Sequence, residues 1–482
     1  MSKRLIYALA VALCACTHSL PDSHRLQNLP QLPKIVPDYV GVTVPPNIAP
    51  LNFRLDSFSG RSIALFEAGG EKVAVKSAGD GFHIPAAKWR RLLQTAQDGD
   101  ISVTVMACRH DGKWNSYRPF SIHVAPDSID PYIACRIIAP GYEYWGAMGI
   151  YQRNLETFAQ TPVLENRMLG GGCMNCHSFC MQNPDLFMFH LRSNYAGTFI
   201  VNEADVEKLS AKTDRLASNP VYPSWHPSGK FIAFSVNVTK QDFHTNNPNR
   251  IEVYDMESDV VVYDVERQEY LRCPQLLSRQ AFETFPAFSP DGATLYFCTA
   301  AARSIPKEYR DVHYSLCSIA FNPETRTFGA TVDTLYNARV NGKSVSFPRV
   351  SPDGKFLVFT LSEYGNFSIW HKDADLYIID LQNDTIAAMD ALNSPDVESY
   401  HSWSSNSRWL VFSSRRLDGL YTRPFIAHID AAGHAAKPFL LPQKNTDYYD
   451  WLMQSYNIPE FIKGKVQTRG NRIAAKVKQL SN

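Results

Sequence analysis

The residues that carry the clearest chemistry in this chain form the string Cys173-Met174-Asn175-Cys176-His177. Two thiols three positions apart, followed directly by an imidazole, is the spacing that attaches haem c. In this interpretation Cys173 and Cys176 form thioethers with the two haem vinyl groups, and His177 is the first axial ligand of the iron. The spacing therefore predicts one covalent haem c and a role in electron handling.

The Cys-x-x-Cys part of the string supports two further interpretations. A thiol–disulfide pair is the serious alternative because this spacing tunes thiol reactivity. It does not require the histidine, however, and redox enzymes place it at a helix start in a βαβ unit. A zinc ion would need two more ligands, and the nearby Cys180 and His190 match no common structural zinc spacing. A thiol or disulfide pair of Cys173 and Cys176 therefore stays open.

The N-terminus resembles the export signal of bacterial lipoproteins. A short basic start is followed by an apolar stretch, residues 5–12, too short to span a bilayer as a mature helix. The string LCAC at residues 13–16 resembles a lipobox. That resemblance implies that residues 1–15 are a cleaved signal peptide and that Cys16 carries palmitate, which anchors the chain to a membrane. An ordinary signal peptide cut nearby is the alternative.

The residues after the lipobox predict where the anchor holds the chain. Residues 16–39 are rich in Pro, Asn and Ser and are predicted to form a tether. Because Thr17 is not aspartate, the lipoprotein resemblance favours the periplasmic face of the outer membrane over the inner membrane or the cell surface. Export supports the haem interpretation, since covalent haem attachment takes place outside the cytoplasmic membrane. No later run of about 18 apolar residues occurs, so the rest is expected to be soluble.

Composition and motif absences argue against several function classes. The net charge is +1 and no long basic run precedes the C-terminal end, which argues against a nucleic-acid partner. Apart from Cys14 and Cys16 the cysteines are scattered, so this is not a disulfide scaffold. Cys298 and Cys317 fall on predicted neighbouring strands, where they could pair. No G-x-S-x-G motif occurs, which argues against a serine hydrolase.

An internal repeat predicts the fold class. Four segments share an aromatic start, a Pro-Asp-Gly type turn and an alternating apolar strand. They are YPSWHPSGKFIAFSV from Tyr222, FPAFSPDGATLYFCT from Phe285, FPRVSPDGKFLVFTL from Phe347 and YHSWSSNSRWLVFSS from Tyr400. Two further strand-like stretches follow each hairpin, which gives four strands per unit, as in a propeller blade. The segments resemble the TolB-type (WD40-like) repeat F-P-x-W-S-P-D-G-K-x-I-x-F, and that resemblance implies a six-bladed all-β propeller over residues 131–442.

The same repeat extends towards the haem-type motif. The segment HSFCMQNPDLFMFHL aligns with the first repeat when His177 is placed on Tyr222 and Phe189 on Phe234. Six units are then predicted, at 131–167, 173–216, 222–275, 285–337, 347–390 and 400–441. The first unit lacks an innermost strand, so another part of the chain is expected to supply it. His177 is predicted at the start of an innermost strand, at one mouth of the central channel.

Two regions flank the predicted propeller. Residues 40–126 contain alternating strands and one short helix-like stretch, which predicts a small immunoglobulin-like β-sandwich. Residues 443–482 are predicted to form a helical tail that is basic at its end. The whole plan resembles bacterial lipoproteins of the "cytochrome c biosynthesis" type, in which TolB-like repeats surround one c-type cytochrome motif.

The sixth iron ligand has several candidates. Met181, Met188 and His190 lie close to His177 in sequence. His401 is a further candidate because the aligned residues of the other clear repeats are all proline, and its position lies at the same predicted channel mouth. An open coordination position is equally compatible with the sequence.

Two functions remain after these exclusions. The first is electron transfer, or another haem-based redox role, with a periplasmic redox partner. The second is a non-redox scaffold that binds a protein or peptide at the channel mouth, as the TolB resemblance implies.

Overall fold

The structure is a computed structural model that describes residues 20–139, 146–209, 216 and 218–481. The predicted signal peptide and the lipidation site at Cys16 lie outside these residues. The described chain consists mostly of β-strands, as the repeats predict. None of its helices is long and apolar enough to cross a membrane.

Six four-stranded antiparallel sheets follow one another through the described part of the chain. The first contains Tyr132–Ile138, Gly149–Asn154, Gln160–Glu165 and Ser455–Ile462; the second Met174–Phe179, Leu186–Leu191, Gly197–Asn202 and Asp205–Lys208; the third Pro220–Trp225, Phe231–Phe243, Ile251–Asp264 and Glu269–Leu271. The fourth contains Ala281–Phe288, Thr294–Ala301, Ser315–Asn322 and Thr327–Tyr336; the fifth Ser344–Val350, Phe356–Ser362, Asp375–Asp380 and Thr385–Ala388; the sixth Glu398–Trp403, Trp409–Ser414, Arg423–His428 and Phe439–Leu440. Successive antiparallel sheets of this kind are the arrangement of a β-propeller.

The strand that the first unit lacks comes from the C-terminal segment. Ser455–Ile462 pairs antiparallel with Tyr132–Ile138. It also contacts the first strands of the second and sixth sheets, so the first strands of sheets two to six and this strand contact one another in a closed ring. We call these six the inner strands. Residues 443–482 are therefore only partly helical, because helices Tyr448–Trp451 and Gly470–Ser481 enclose a strand fixed by long-range pairing.

Each inner strand carries a β-bulge at the same place. The pairing register shifts there in all six sheets, and the first bulged residue has a φ between 48° and 53°. These six residues are Cys176, Tyr222, Phe285, Phe347, Tyr400 and Ile458. Left-handed backbone at a residue other than glycine costs about 1–3 kcal/mol, so the surrounding ring must hold it in place.

The residue after the positive φ is proline in four inner strands and histidine in two. The prolines are Pro223, Pro286, Pro348 and Pro459, and the histidines are His177 and His401. Proline suits a bulge because it has no backbone N–H that the interrupted ladder would leave without a partner. The backbone geometry at this position therefore does not explain the two histidines, because proline satisfies it in the other four inner strands.

The predicted alignment of the second unit is wrong by one residue at its start. Ser178 pairs with Met188, ten positions on, whereas the equivalent Ser224 pairs with Ala233, nine positions on. The longer turn places Cys176, not His177, on Tyr222. His177 consequently lies within the strand Met174–Phe179 and not at its start.

Aromatic side chains fill much of the ring's centre. Ring centroids lie 4.5 Å apart for Tyr222 and Phe285, 4.1 Å for Phe285 and Phe347, and 4.8 Å for Phe347 and Tyr400. All four are first bulged residues. Their contacts stabilise the ring through packed aromatic pairs, each of which contributes about 0.5–1.5 kcal/mol beyond burial. Cys176 takes the same position in the second sheet.

The N-terminal region packs directly on the ring. Its strands are Leu26–Asn28, Ile35–Val36, Thr43–Val44, Arg54–Leu55, Ser62–Ala68, Glu71–Ser77, Gly99–Cys108, Trp114–Ser116 and Phe120–Val124, with helix Ala86–Thr95. Seven of these strands form one sheet, and the other two pair with each other. Trp409 and Phe461 of the ring share one hydrophobic cluster with Phe53 and Phe66 of this region. The strands from Thr43 onward agree with the prediction for residues 40–126, while the two-layer sandwich stays a prediction. The predicted tether at residues 16–39 is wrong in part, because Leu26–Asn28 and Ile35–Val36 pair with strands of this region.

The suggested Cys298–Cys317 pairing does not occur. Cys317 lies opposite Phe297 in the pairing register, and successive residues of a strand face opposite sides of the sheet. Cys298 accordingly packs in one hydrophobic cluster and Cys317 in another. Both thiols are free.

Candidate functional site

A cavity of about 160 Å³, open to solvent, lies among the inner strands. Five of the six sheets contribute to its wall. The lining residues used below are Cys176, His177, Met181, Tyr222, Arg349, Tyr400, His401 and Glu460. The ring thus brings residues far apart in sequence to one place, and the predicted haem-attachment motif supplies two of them.

The two cysteines of the motif have different surroundings. Cys176 is buried in the cavity wall, whereas Cys173 is half-buried beside a hydrophobic cluster and does not line the cavity. Burial raises the pKa of the Cys176 thiol, although the Arg192 and Arg136 guanidinium groups act in the opposite direction. Because the thiolate is the form that attacks disulfides, a raised pKa disfavours thiol–disulfide exchange at Cys176.

His177 is a buried imidazole whose ring nitrogens form no hydrogen bond of good geometry with the described residues. It is 2% exposed, and its nearest polar neighbours are backbone groups of Ile458 and Ala134. Burial lowers the pKa of His177 to about 3, and Arg136 acts in the same direction, while backbone groups of Ile458 and Ala134 oppose them. The ring is therefore neutral at physiological pH, which is the form that binds a metal ion. A buried polar atom left without a partner costs about 1–3 kcal/mol, so this ring fits a ligand.

His401 lies at the equivalent place in the sixth sheet. It is 3% exposed, and its Nε2 lies 2.9 Å from the carbonyl oxygen of Val358. Because Nε2–H donates to that oxygen, Nδ1 carries the free lone pair, and Nδ1 has no partner among the described residues. Burial, with a contribution from Arg349, lowers the pKa of His401 to about 3.

The structure separates the remaining sixth-ligand candidates. Met181 lines the cavity and is 37% exposed. Met188 is fully buried in a hydrophobic cluster away from the cavity. His190 is also buried outside it, with Nδ1 2.9 Å from the Thr198 hydroxyl oxygen, and burial lowers its pKa to about 4. Met188 and His190 lie on the second strand of their sheet, and the inner strand separates that strand from the channel.

The sequence analysis did not identify two charged residues of the cavity wall. They are Arg349 and Glu460, each two positions after the positive-φ residue of its inner strand. The equivalent residues are Ser178, Ser224, Ala287 and Ser402. Comparison of the repeats at this position would have marked Arg349. Glu460 had no such signal because its strand lies outside the repeats.

The cavity brings together only part of the predicted haem-attachment motif. Cys176 and the neutral His177 share one wall, and Met181 and His401 line the same cavity, whereas Cys173 does not line it. Gly170, Gly171 and Gly172 lead into the motif with φ of 75°, 86° and 94°, conformations that suit glycine. The zinc interpretation finds no ligand set, since the described part of the chain holds no group of three His, Cys, Asp or Glu side chains that could hold a metal ion.

No family model matches the chain, and no curated protein matches it. Among solved structures, an oligogalacturonate lyase from Vibrio parahaemolyticus is 12% identical with a TM-score of 0.33, over 62% of this chain and 92% of the lyase chain. Kuenenia stuttgartiensis hydrazine synthase is 12% identical with a TM-score of 0.42, over 71% of this chain and 48% of that one. A puromycin-hydrolyzing peptidase from Mycobacterium tuberculosis is 11% identical with a TM-score of 0.37, over 72% and 52%. The chain spans about half the length of the last two, and likenesses at this level carry no argument about activity.

Proposed function

We propose that this chain is a periplasm-facing outer-membrane lipoprotein that carries one covalent haem c and transfers electrons. The six sheets would be the blades of a TolB-like propeller closed by Ser455–Ile462. The observation that carries the proposal is His177, a buried, neutral imidazole that lines the cavity, forms no hydrogen bond of good geometry through its ring nitrogens, and directly follows a cysteine.

The chain's own residues supply the attachment and its surroundings. Cys173 and Cys176 would hold the porphyrin as thioethers, and His177 would bind the iron from one side. The bound haem supplies a one-electron iron couple. Tyr222 and Tyr400 form part of the cavity wall, and their aromatic rings would limit solvent access on that side and so tune the potential of the iron.

The alternative is a non-redox scaffold in which Cys173 and Cys176 act as a thiol or disulfide pair. The open cavity supports binding of a protein or peptide segment, since its wall combines apolar side chains with two charged ones. The raised pKa of Cys176 counts against a thiol-exchange role.

A pyridine haemochrome spectrum decides between the two functions. The full chain is expressed in a host that matures c-type haem, and the reduced-minus-oxidised spectrum of the denatured protein is recorded. We expect a thioether-type band that disappears in Cys173→Ala/Cys176→Ala. The matched control is Cys298→Ala/Cys317→Ala, which removes two buried thiols outside the cavity and should keep the band. A folded protein without any covalent porphyrin would leave the scaffold as the better proposal.

The membrane anchor is tested separately. Metabolic labelling with palmitate should mark the wild-type chain, and the label should be lost in Cys16→Ala. Retention of the label in that variant would show that a residue other than Cys16 carries the lipid. Release of an unlabelled chain into the soluble fraction would support an ordinary signal peptide.

A further inference from the structure

The C-terminal end of the chain concentrates positive charge. Residues 461–482 contain six lysines and arginines and no aspartate or glutamate, whereas the full chain has 48 of the former and 47 of the latter. We call the six the basic strip; they are Lys463, Lys465, Arg469, Arg472, Lys476 and Lys478. The rest of the chain is therefore net acidic.

The segment that carries the basic strip is held in place by buried residues. Val466, Ile473 and Val477 are at most 4% exposed and pack against the first and second sheets. The backbone N–H of Val466 donates to the Gln152 side-chain oxygen at 2.8 Å, and the Gln152 amide donates to the Val466 carbonyl oxygen at 3.2 Å. All cations of the strip are exposed except Lys476, which is half-buried. A packed and hydrogen-bonded backbone thus presents them to solvent.

No carboxylate neutralises the basic strip. None of its cations forms an ion pair within 4 Å with another described residue. Asp185 and Glu203 share an open surface groove with Arg469 and Arg472, yet they stay outside that distance. The strand Asp205–Lys208, which the C-terminal helix contacts, carries two more acidic residues that do not pair with the strip. Its charge is therefore free to act on a partner.

The strip runs from the cavity to the far end of the C-terminal helix. The backbone N–H of Lys463 donates at 2.9 Å to the carbonyl oxygen of Gln182, which lines the cavity. Arg472 and Lys476 stand four positions apart on helix Gly470–Ser481, where like charges repel and destabilise the isolated helix. An anionic surface along the strip would relieve this repulsion and would lie beside the cavity.

The C-terminal helix does not have the form of a membrane-inserting helix. A helix of that kind keeps an apolar face free to enter the lipid. Here Ile473, Ala474 and Val477 form the apolar face, and all three are buried against the sheets. Leu480, at 42%, is the large apolar side chain that the helix exposes. An acidic protein surface, in contrast, needs only the exposed cations.

We propose that the basic strip is the docking surface for an acidic protein partner. Fixed cations without counter-charges attract and orient such a surface, and complementarity of this kind acts mainly on the association rate and on specificity. The proposal goes beyond the proposed function because it does not need a bound haem. It names the class of partner that either candidate function would use.

Binding of fluorescein-labelled poly-L-glutamate to the purified full chain tests the proposal, with fluorescence anisotropy as the readout. We expect saturable binding in 50 mM NaCl that weakens at least about tenfold at 500 mM, because salt screens exposed charges. Lys465→Gln/Arg469→Gln/Arg472→Gln should weaken the binding in 50 mM NaCl by about tenfold or more, since it removes half of the strip's charge.

A matched variant controls for net charge. Lys88→Gln/Arg90→Gln/Arg91→Gln removes three exposed cations from helix Ala86–Thr95 of the N-terminal region, and it should keep the affinity. All six substituted side chains are exposed, so urea unfolding of both variants should match that of the wild-type chain.

Lysine acetylation locates the bound probe. With poly-L-glutamate bound, Lys465 and Lys478 should react with an acetylating reagent several-fold more slowly than in the free chain, because the probe covers them. Lys88 should react at an unchanged rate. Mass spectrometry of tryptic peptides over time measures the three rates.

The outcomes separate this surface from the other candidate occupants. Absence of binding, or an equal loss of binding in both triple variants, overturns the proposal. Binding to phosphatidylglycerol vesicles through the same cations, without binding to the acidic polypeptide, would assign the strip to a membrane surface. Self-association of the wild-type chain that the strip variant abolishes would assign it to a second copy. Absence of covalent haem overturns the proposed function and leaves this surface in place.

Discussion

His177 and His401 occupy equivalent positions in two inner strands: each directly follows a residue with positive φ, Cys176 in one strand and Tyr400 in the other. The four remaining inner strands have proline there. The two imidazoles reach the same cavity, and both are neutral because burial lowers the pKa of each to about 3. The ring therefore places two neutral imidazoles at positions that have proline in the other four inner strands.

This relationship predicts the second axial ligand. We expect it to be His401, because its Nδ1 is buried and unpartnered, whereas Met181 is partly exposed. In the haem-loaded protein His401→Ala should convert a low-spin ferric signal to a high-spin one, measured by electron paramagnetic resonance. Met181→Leu should leave the signal unchanged. A spin change in the Met181 variant alone would assign the ligand to the methionine.

Thiol reactivity of the haem-free protein should follow burial. The raised pKa of Cys176 keeps it in the unreactive thiol form, so iodoacetamide should modify it at least tenfold more slowly than the half-buried Cys108 at pH 8. Mass spectrometry of tryptic peptides over time measures both rates, and denaturant should make them similar. Equal rates in the folded protein would contradict the buried placement of Cys176.

Loss of a large side chain from the closing strand should destabilise the protein. Phe461 is fully buried in the cluster shared by the ring and the N-terminal region, so Phe461→Ala should lower the free energy of unfolding by about 3–5 kcal/mol. Trp451→Ala, at a side chain that is 78% exposed, should change it by no more than about 0.5 kcal/mol. Urea unfolding measures both, and similar effects would argue against the strand's place in the ring.

Stability should fall with rising pH because of Glu283. Burial raises the pKa of this carboxyl group from 4.5 to about 8, so the folded state binds more protons than the unfolded state between these values. The free energy of unfolding then decreases as pH rises through that window. Glu283→Gln should reduce this decrease, as measured by urea unfolding at pH 5 and pH 9. An unchanged pH dependence in the variant would show that Glu283 titrates normally in the folded protein.

Local patterns in the sequence predict the sheets that carry the repeat. The Pro-Asp-Gly type turns and the alternating strands specify hairpins through neighbouring residues, and those hairpins occur. The closing strand differs because Asn457 and Pro459 interrupt its alternation and its partner, Tyr132–Ile138, lies near the other end of the ring sequence. Pairing at that distance depends on the complete ring and leaves little local signal.

The candidate site was predicted to a similar extent. The motif and the proline pattern identified Cys176, His177 and His401 as cavity residues. A single extra residue in the turn after Ser178 shifted the alignment and placed His177 at a strand start. Glu460 could not be predicted because it belongs to the closing strand, which lies outside the repeats. It and Arg349 are the two charged residues found two positions after the positive-φ residue of an inner strand.

The position of the closing strand along the chain also orders the assembly of the cavity. Ser455–Ile462 is synthesised after every other inner strand, so until then the wall formed by Ile458 and Glu460 is missing. During this interval the ring of inner strands is open, and a large planar group has access to Cys176 through the gap that the closing strand later fills. A nascent chain halted before Ser455 should accordingly expose Cys176 to a bulky maleimide that the completed protein excludes.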